Sequence, residues 1–393
     1  MSLSAAISNI KLEFVNGVTG DSINQKAYPP PEENIKHIAG IRGSWRTHMN
    51  ALQRYLNLLL ACAREDHWLT MLRVVEQNLT TAFILEDDVD WDIRVRQNLQ
   101  RFALASRVLS SSQDLFATSP HLKSHVDYRS NTETEDTAFH IIDTKNLPKS
   151  LPSLPLSSVH RDSISSNQPS NAAGHSSPYG DPTKWDILWL GHCGAGMPRD
   201  PQSHPTSLKH QTPVTPSNLI LTHPNDPTVP VGRYIKAHPF QGGPDALATA
   251  FPPHTRIYHR STGGELCTVG YAVSQRGARR LLHQFGIKGW NGIFDSEMGR
   301  WCAGEDPDMG PSYAAAGPKA KKERVCVTSQ PPIFAHHHPM QGESDIGGLG
   351  GGYARKYETK YLRYSVRMNL QGLVEGKGER ELVDQWPDEE EKE

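Results

Sequence analysis

Four unbroken apolar residues, Ala82-Phe-Ile-Leu85, run directly into Glu86, Asp87 and Asp88, with Asp90 and Asp92 just beyond. A short apolar run of this kind reads as a buried strand. The charges that follow without a break must then emerge at its carboxyl end. In open α/β sheets that edge is where ligands bind. Four carboxylates between Glu86 and Asp90 repel one another unless something positive sits among them. A divalent cation meets that need, because hard cations take oxygen ligands.

The flanking sequence predicts an α/β unit around this strand. Trp45, Met49, Leu52, Leu56 and Leu59 recur at helical steps, and Ser44 can cap a helix there. A second helix is predicted over 66–78, with Leu69, Leu72 and Val75 on one face. Asp92 can cap a third over 93–110, which carries Val95, Leu99 and Phe102. Further strands are predicted at 12–15, 185–191, 256–260, 266–273 and 325–327. Ser274 then caps a helix that runs to Phe285, with Gly286 as its stop.

Composition bounds the rest. A hydrophobic content of 36%, with 29 prolines and 32 glycines, points to long loops or disordered insertions. Residues 111–180, rich in Ser, Asn, Pro, Thr and His, read as an insertion disordered in large part. A second insertion falls at 303–322, and 198–230 reads as a Pro- and Thr-rich loop. That leaves one domain over 10–350 and a charged C-terminal tail over 351–393, solvated beyond about 375. A net charge of -2 makes no case for a nucleic-acid partner or a membrane surface. No run approaches the roughly 20 apolar residues that span a bilayer. The first ten residues show no signal peptide or anchor, so a chain complete at this end would be cytoplasmic. The five cysteines form no CxxC pair. They fit a reduced protein equally with one holding two bridges and a spare thiol.

Three clusters carry chemistry. Asp88-Val-Asp90 places two carboxylates two apart, which on extended backbone share a face and can reach one ion. Such an ion can hold a diphosphate and neutralise charge on a leaving nucleotide. The competing reading is a solvated acidic turn, or helix capping by Asp90 and Asp92. His336, His337 and His338 follow the apolar pair Ile333-Phe334, where an imidazole could complete a metal shell or simply belong to a His-rich loop. Asp295, between Phe294 and Met298, is a general-base candidate or a helix cap. His48 reads as a satisfied core residue. The sequon Asn78-Leu-Thr80 sits too close to a buried strand to be used.

In combination these pieces resemble glycosyltransferase family 25, which includes bacterial lipooligosaccharide and collagen galactosyltransferases and many fungal proteins. The matching stretches are Gly43-x-Trp45-Arg46-x-His48, Ala82-Phe-Ile-Leu-Glu-Asp-Asp-Val89, and Cys267-Thr268-x-x-Tyr271-Ala-Val-Ser274 with Gly277-Ala278 and Leu281-Leu282. Asp295 before Trp301-Cys302 also matches, as does Pro332-Ile-Phe-Ala-His336 with Ser344-Asp345-Ile346. The layout is most similar to the fungal branch. The resemblance implies a GT-A, Rossmann-like mixed sheet flanked by helices. It implies inverting transfer of a hexose, typically galactose, from a UDP-sugar to a glycan or glycoprotein acceptor in the Golgi or secretory pathway. It assigns Mn²⁺ (or Mg²⁺) to Asp88 and Asp90 with one of His336 to His338, donor contacts to Glu86, Asp87 and Thr268, and the acceptor side to Asp295. The family opens with a strand ahead of the Leu12 region, and residues 2–8 here make a poor one. That departure raises the alternative of a catalytically impaired, GT-A-like binding or scaffold protein.

Overall fold

The structure is a computed structural model. It describes residues 1–61, 80–110, 127–128, 152–159, 177–196, 216–235, 247, 250–261, 263–290, 292–305, 323–340, 346 and 358–388. The fold is α/β, built on one open sheet of mixed direction. Its strands are β1 (Thr81–Leu85), β2 (Val89–Trp91), β3 (Asp127–Tyr128), β4 (Pro152–Pro155), β5 (Ile187–Gly191), β6 (Ile220–His223), β7 (Arg256–Arg260), β8 (Gly270–Ser274), β9 (Cys326–Gln330), β10 (Phe334–His338) and β11 (Glu358–Thr359). The main order is β1-β8-β5-β9-β7-β6-β4-β3, with β10 joined to β5, β2 and β11. The helices are α1 (Ser2–Ile7), α2 (Ala39–Ala61), α3 (Val95–Leu109), α4 (Gln275–His283), α5 (Phe294–Cys302) and α6 (Leu370–Val374).

Strand β5 shows why the sheet has a helical layer on each face. All five of its residues are buried. Successive strand residues point to opposite faces, so Ile187 and Trp189 join one core with Trp45, Met49 and Leu52 of α2, Leu281 of α4 and Phe294 of α5. Leu188 and Leu190 join another with Phe102 and Leu109 of α3. A strand covered on both sides cannot alternate apolar with polar, and its sequence does not. Each large side chain buried in this way contributes about 1.5–3 kcal/mol.

Several elements depart from the sequence reading. Helix α2 begins at Ala39, so Ser44 lies inside it rather than capping it. Residues 12–15 form no strand. Helix α3 starts at Val95, and Asp92 serves Arg94 and Tyr364 instead of capping. Ser274 does cap α4, accepting from the Gly277 N–H, but a π turn carries the chain on through Gly286 to Lys288. Residues 111–180 supply β3 and β4, and 198–230 supplies β6, whose Ile220 and Leu221 are buried. These strands are short, and their burial comes from neighbours distant in sequence, so no local period announces them. The expected helix over 66–78 and the sequon at Asn78 lie outside the described residues.

The largest departure is the C-terminal segment. Read as a charged tail, it instead folds back from residue 358 to residue 388. β11 pairs with β10 through His337↔Thr359, and Arg363 pairs with Asp384. Trp386 donates to the Thr359 carbonyl at 3.1 Å. The acidic run at 389–393 lies outside the described residues.

Register brings several strand ends to one edge. Leu85 at the end of β1 and Gly191 at the end of β5 both lie opposite Gly270 at the start of β8. Gly191 has no room for a side chain, because a Cβ there would come within 2.7 Å of the Gly270 nitrogen and 2.9 Å of Phe334. That close crossing also sets Phe334 beside Gly191, which starts β10 at the same edge. A buried ion pair, Arg256 to Asp226 at 2.9 Å, steadies the turn into β10, since Arg256 also donates to the Pro332 carbonyl. Burial alone would raise the Asp226 pKa, but the adjacent Arg256 charge holds it at about 2.

Candidate functional site

Glu86 is the hub of this edge. As a carboxylate it can only accept, so the Thr268 hydroxyl donates to its Oε1 at 2.6 Å. Thr268 must then accept from His48 Nε2 at 3.2 Å, which leaves His48 Nδ1 to accept from the Tyr271 hydroxyl at 3.1 Å. His48 is therefore satisfied at both nitrogens, as a core histidine should be, and it stacks on Phe294 at 4.7 Å. Through Thr268 it also orients Glu86. Thr268 arrives here because it lies two residues ahead of β8, whose start faces the end of β1.

Asp295 stands in the first turn of α5, where negative charge is favoured by the helix N-terminus. Its carboxylate accepts the backbone N–H groups of Cys267 and Ser296. Burial raises its pKa, the two N–H donors oppose that, and the charge of Glu86 adds to the rise, leaving it net raised. A carboxyl so perturbed fits a group that takes up a proton.

Asp88 meets His336 through its Oδ2, while its Oδ1 is buried with no hydrogen-bond partner among the described residues. Burial depresses the His336 pKa, but the contact with Asp88 and the charges of Asp88 and Glu86 outweigh it, leaving it net raised. The His338 ring lies edge-on to His336 at 4.2 Å, and burial followed by the His336 charge lowers its pKa to about 3. Glu86, Thr268, Asp295, Asp88, His336 and His338 thus gather at one edge. They come from four separate stretches of sequence.

Asp90 does not join them. It is 1% exposed. Its Oδ1 accepts the N–H groups of Trp91 (2.8 Å) and Arg367 (3.1 Å), and its Oδ2 accepts the hydroxyls of Thr359 (2.8 Å) and Ser365. His337 donates to Thr359 from the same side. Asp88 and Asp90, expected to share an ion, are not brought together, for a geometric reason. Asp88 lies in the turn before β2, so the two-residue rule for strands does not apply to it. Asp90 pairs with Ala335 and shares the His337 face of β10, while Asp88 reaches His336 on the other face. Asp87 is exposed, and its carbonyl accepts from Arg367. It shapes the turn.

Asp88 and His336 therefore meet at this edge, and Asp90 stands apart from them. Among the described residues, no group of three or more His, Cys, Asp or Glu side chains is arranged to hold a metal ion. Among the same residues, no helix is long and apolar enough to cross a membrane.

Sequence reasoning missed two features beside the site. Glu265 is 1% exposed, and burial raises its pKa to about 7. Its cue was faint: it stands directly before the apolar stretch that begins at Leu266, on the entry side, whereas Glu86 stands at the exit of its strand. The other feature is the pairing of four cysteines, Cys193 with Cys267 and Cys302 with Cys326. Spacing held no signal for either bridge. No protein-family model, curated protein or solved structure matches the chain.

Proposed function

We propose that the protein is a glycosyltransferase of the family 25 type on a GT-A-like sheet. It moves a hexose, in the first instance galactose, from a UDP-sugar to a glycan or glycoprotein acceptor with inversion. The observation that carries this reading is the convergence of Asp88, His336 and His338 with Asp295 at one sheet edge, with Glu86 between them. A divalent ion such as Mn²⁺, held by Asp88 and His336 together with oxygens of the donor itself, would supply charge neutralisation for the departing diphosphate. The unpartnered Oδ1 of Asp88 supports this choice over Asp90.

The chain's own residues divide the remaining work. Asp295, kept basic by burial and by Glu86, takes the proton from the acceptor hydroxyl as it attacks the anomeric carbon. Cys267 and Ser296 aim its carboxylate. Glu86, held by Thr268 and His48, sits between the acidic turn and Asp295 and keeps the edge negative where an oxocarbenium-like centre develops. Measuring hydrolysis or transfer of UDP-galactose with Mn²⁺ tests this. Activity should fall at least about 100-fold in Asp88→Asn and in Asp295→Asn. Full activity in EDTA would overturn it.

One observation favours a second reading, a GT-A-like binding protein with an incomplete donor pocket. β1 is the outermost strand on its side of the sheet and pairs only with β8 among the described residues. Calorimetry separates the two, because the second reading expects no metal-dependent UDP binding.

A further inference from the structure

Cys267 is a non-glycine residue held at φ +65°. The left-handed region is unfavourable for an L-residue, and such a conformation persists only where its surroundings over-determine it. Three restraints do so here. The Cys267 N–H donates to Asp295 at 2.6 Å, its carbonyl accepts from Trp189 Nε1 at 3.1 Å, and its sulfur is bonded to Cys193. The disulfide staples the loop after β5 to the loop before β8, beside paired bonds from Cys193 to the Leu266 carbonyl and from Leu266 to the Gly194 carbonyl. The next residue is Thr268, which holds Glu86. The second disulfide differs, because Cys302 and Cys326 are both buried while Cys193 and Cys267 are half-buried.

We propose that Cys193–Cys267 is a redox-sensitive positioning element of the site, which fixes Cys267 so that its N–H and the following Thr268 aim Asp295 and Glu86. The role assigned to Asp295 rests on the glycosyl-transfer reading. A dithiol opens the bridge by thiolate attack on one sulfur, and its second thiol then closes on the resulting mixed disulfide. The Cys193–Cys267 bond breaks and one S–S bond forms in the reagent. The reagent's two electrons leave Cys193 and Cys267 as thiols, each carrying one proton. Cys267 is then free to leave the left-handed region, and Asp295 loses a donor that had held its pKa down.

The test is graded reduction of the full chain with dithiothreitol, alkylation, and peptide mass mapping to show which bridge has opened. Carboxyl NMR, with Asp295 assigned through Asp295→Asn, follows that group's titration. Cys193 and Cys267 should alkylate first. The Asp295 midpoint should then rise, and kcat should fall about tenfold with its pH profile shifted upward while donor KM stays within about twofold. Reoxidation should restore both. The variant Cys193→Ser/Cys267→Ser should match the reduced protein; if it does not fold, reversible reduction of the wild type carries the test. An unchanged midpoint and kcat with this pair alkylated, or earlier opening of Cys302–Cys326, would overturn the proposal. Absence of transfer in the oxidised protein would sink the glycosyl-transfer reading alone, since the NMR midpoint still decides the positioning role.

Discussion

Asp88 and Asp90 are two residues apart and lead different lives. Asp88 stands beyond the end of β1 with one oxygen on His336 and the other without a partner among the described residues. Asp90 is enclosed, and both its oxygens are filled by Trp91, Thr359, Ser365 and Arg367. The contrast shows that an acidic cluster is not one object. A carboxylate whose acceptor capacity is spent on the protein has little left for a ligand. It fastens the segment 358–388 to the sheet. A carboxylate with an unpartnered oxygen is destabilising unless something else supplies the missing contact. That makes Asp88 the better place to look for binding, and Asp90 the better place to look for stability.

The largest effect should come from emptying the filled side. Asp90→Ala leaves two hydroxyls and two N–H groups without their acceptor, and should cost about 4 kcal/mol in urea unfolding. A cost under about 1 kcal/mol would mean that the C-terminal segment is held by other contacts.

Next comes a pH effect centred on Glu265. Burial lifts its pKa from 4.5 to about 7 in the folded protein. The folded state therefore holds a proton that the unfolded state has already released. The stability this provides is full below about pH 4.5 and is lost as pH rises through 7. The loss amounts to roughly 3 kcal/mol. Glu265→Gln should flatten the decline in unfolding free energy between pH 5 and pH 8, while a decline as steep as wild type would assign it to another group. Asp92, raised by burial to about 6, adds in the same direction.

The smallest effect on folding should be at the open side. Asp88→Asn removes a partly exposed charge, 41% accessible, and should change stability by less than about 1 kcal/mol. Loss of several kcal/mol would show that Asp88 too is structural.

Much of this was legible in the chain. β1 and its acidic exit follow from Ala82 to Asp88 alone, because burial and charge meet there without an intervening turn. Asp295 and His336 were marked by lying beside apolar residues, and Thr268 only by the resemblance carried by Cys267-Thr268-x-x-Tyr271. The division between Asp88 and Asp90 was not legible, since the rule that places residues two apart on one face holds only where both lie on a strand. Nor was the role of 358–388. Its composition reads as solvated, and the partners that order it are remote, with Thr359 lying 269 positions from Asp90. No local pattern encodes a bond of that span.

The most direct measurement is calorimetric titration of UDP with Mn²⁺ into wild type, Asp88→Asn and Asp90→Asn, paired with urea unfolding of each. The account predicts that Asp88→Asn folds with the wild-type midpoint and loses metal-dependent UDP binding. It predicts that Asp90→Asn unfolds earlier and keeps wild-type affinity in its folded fraction. Wild-type stability with lost binding in Asp90→Asn, or undiminished binding in Asp88→Asn, would contradict it.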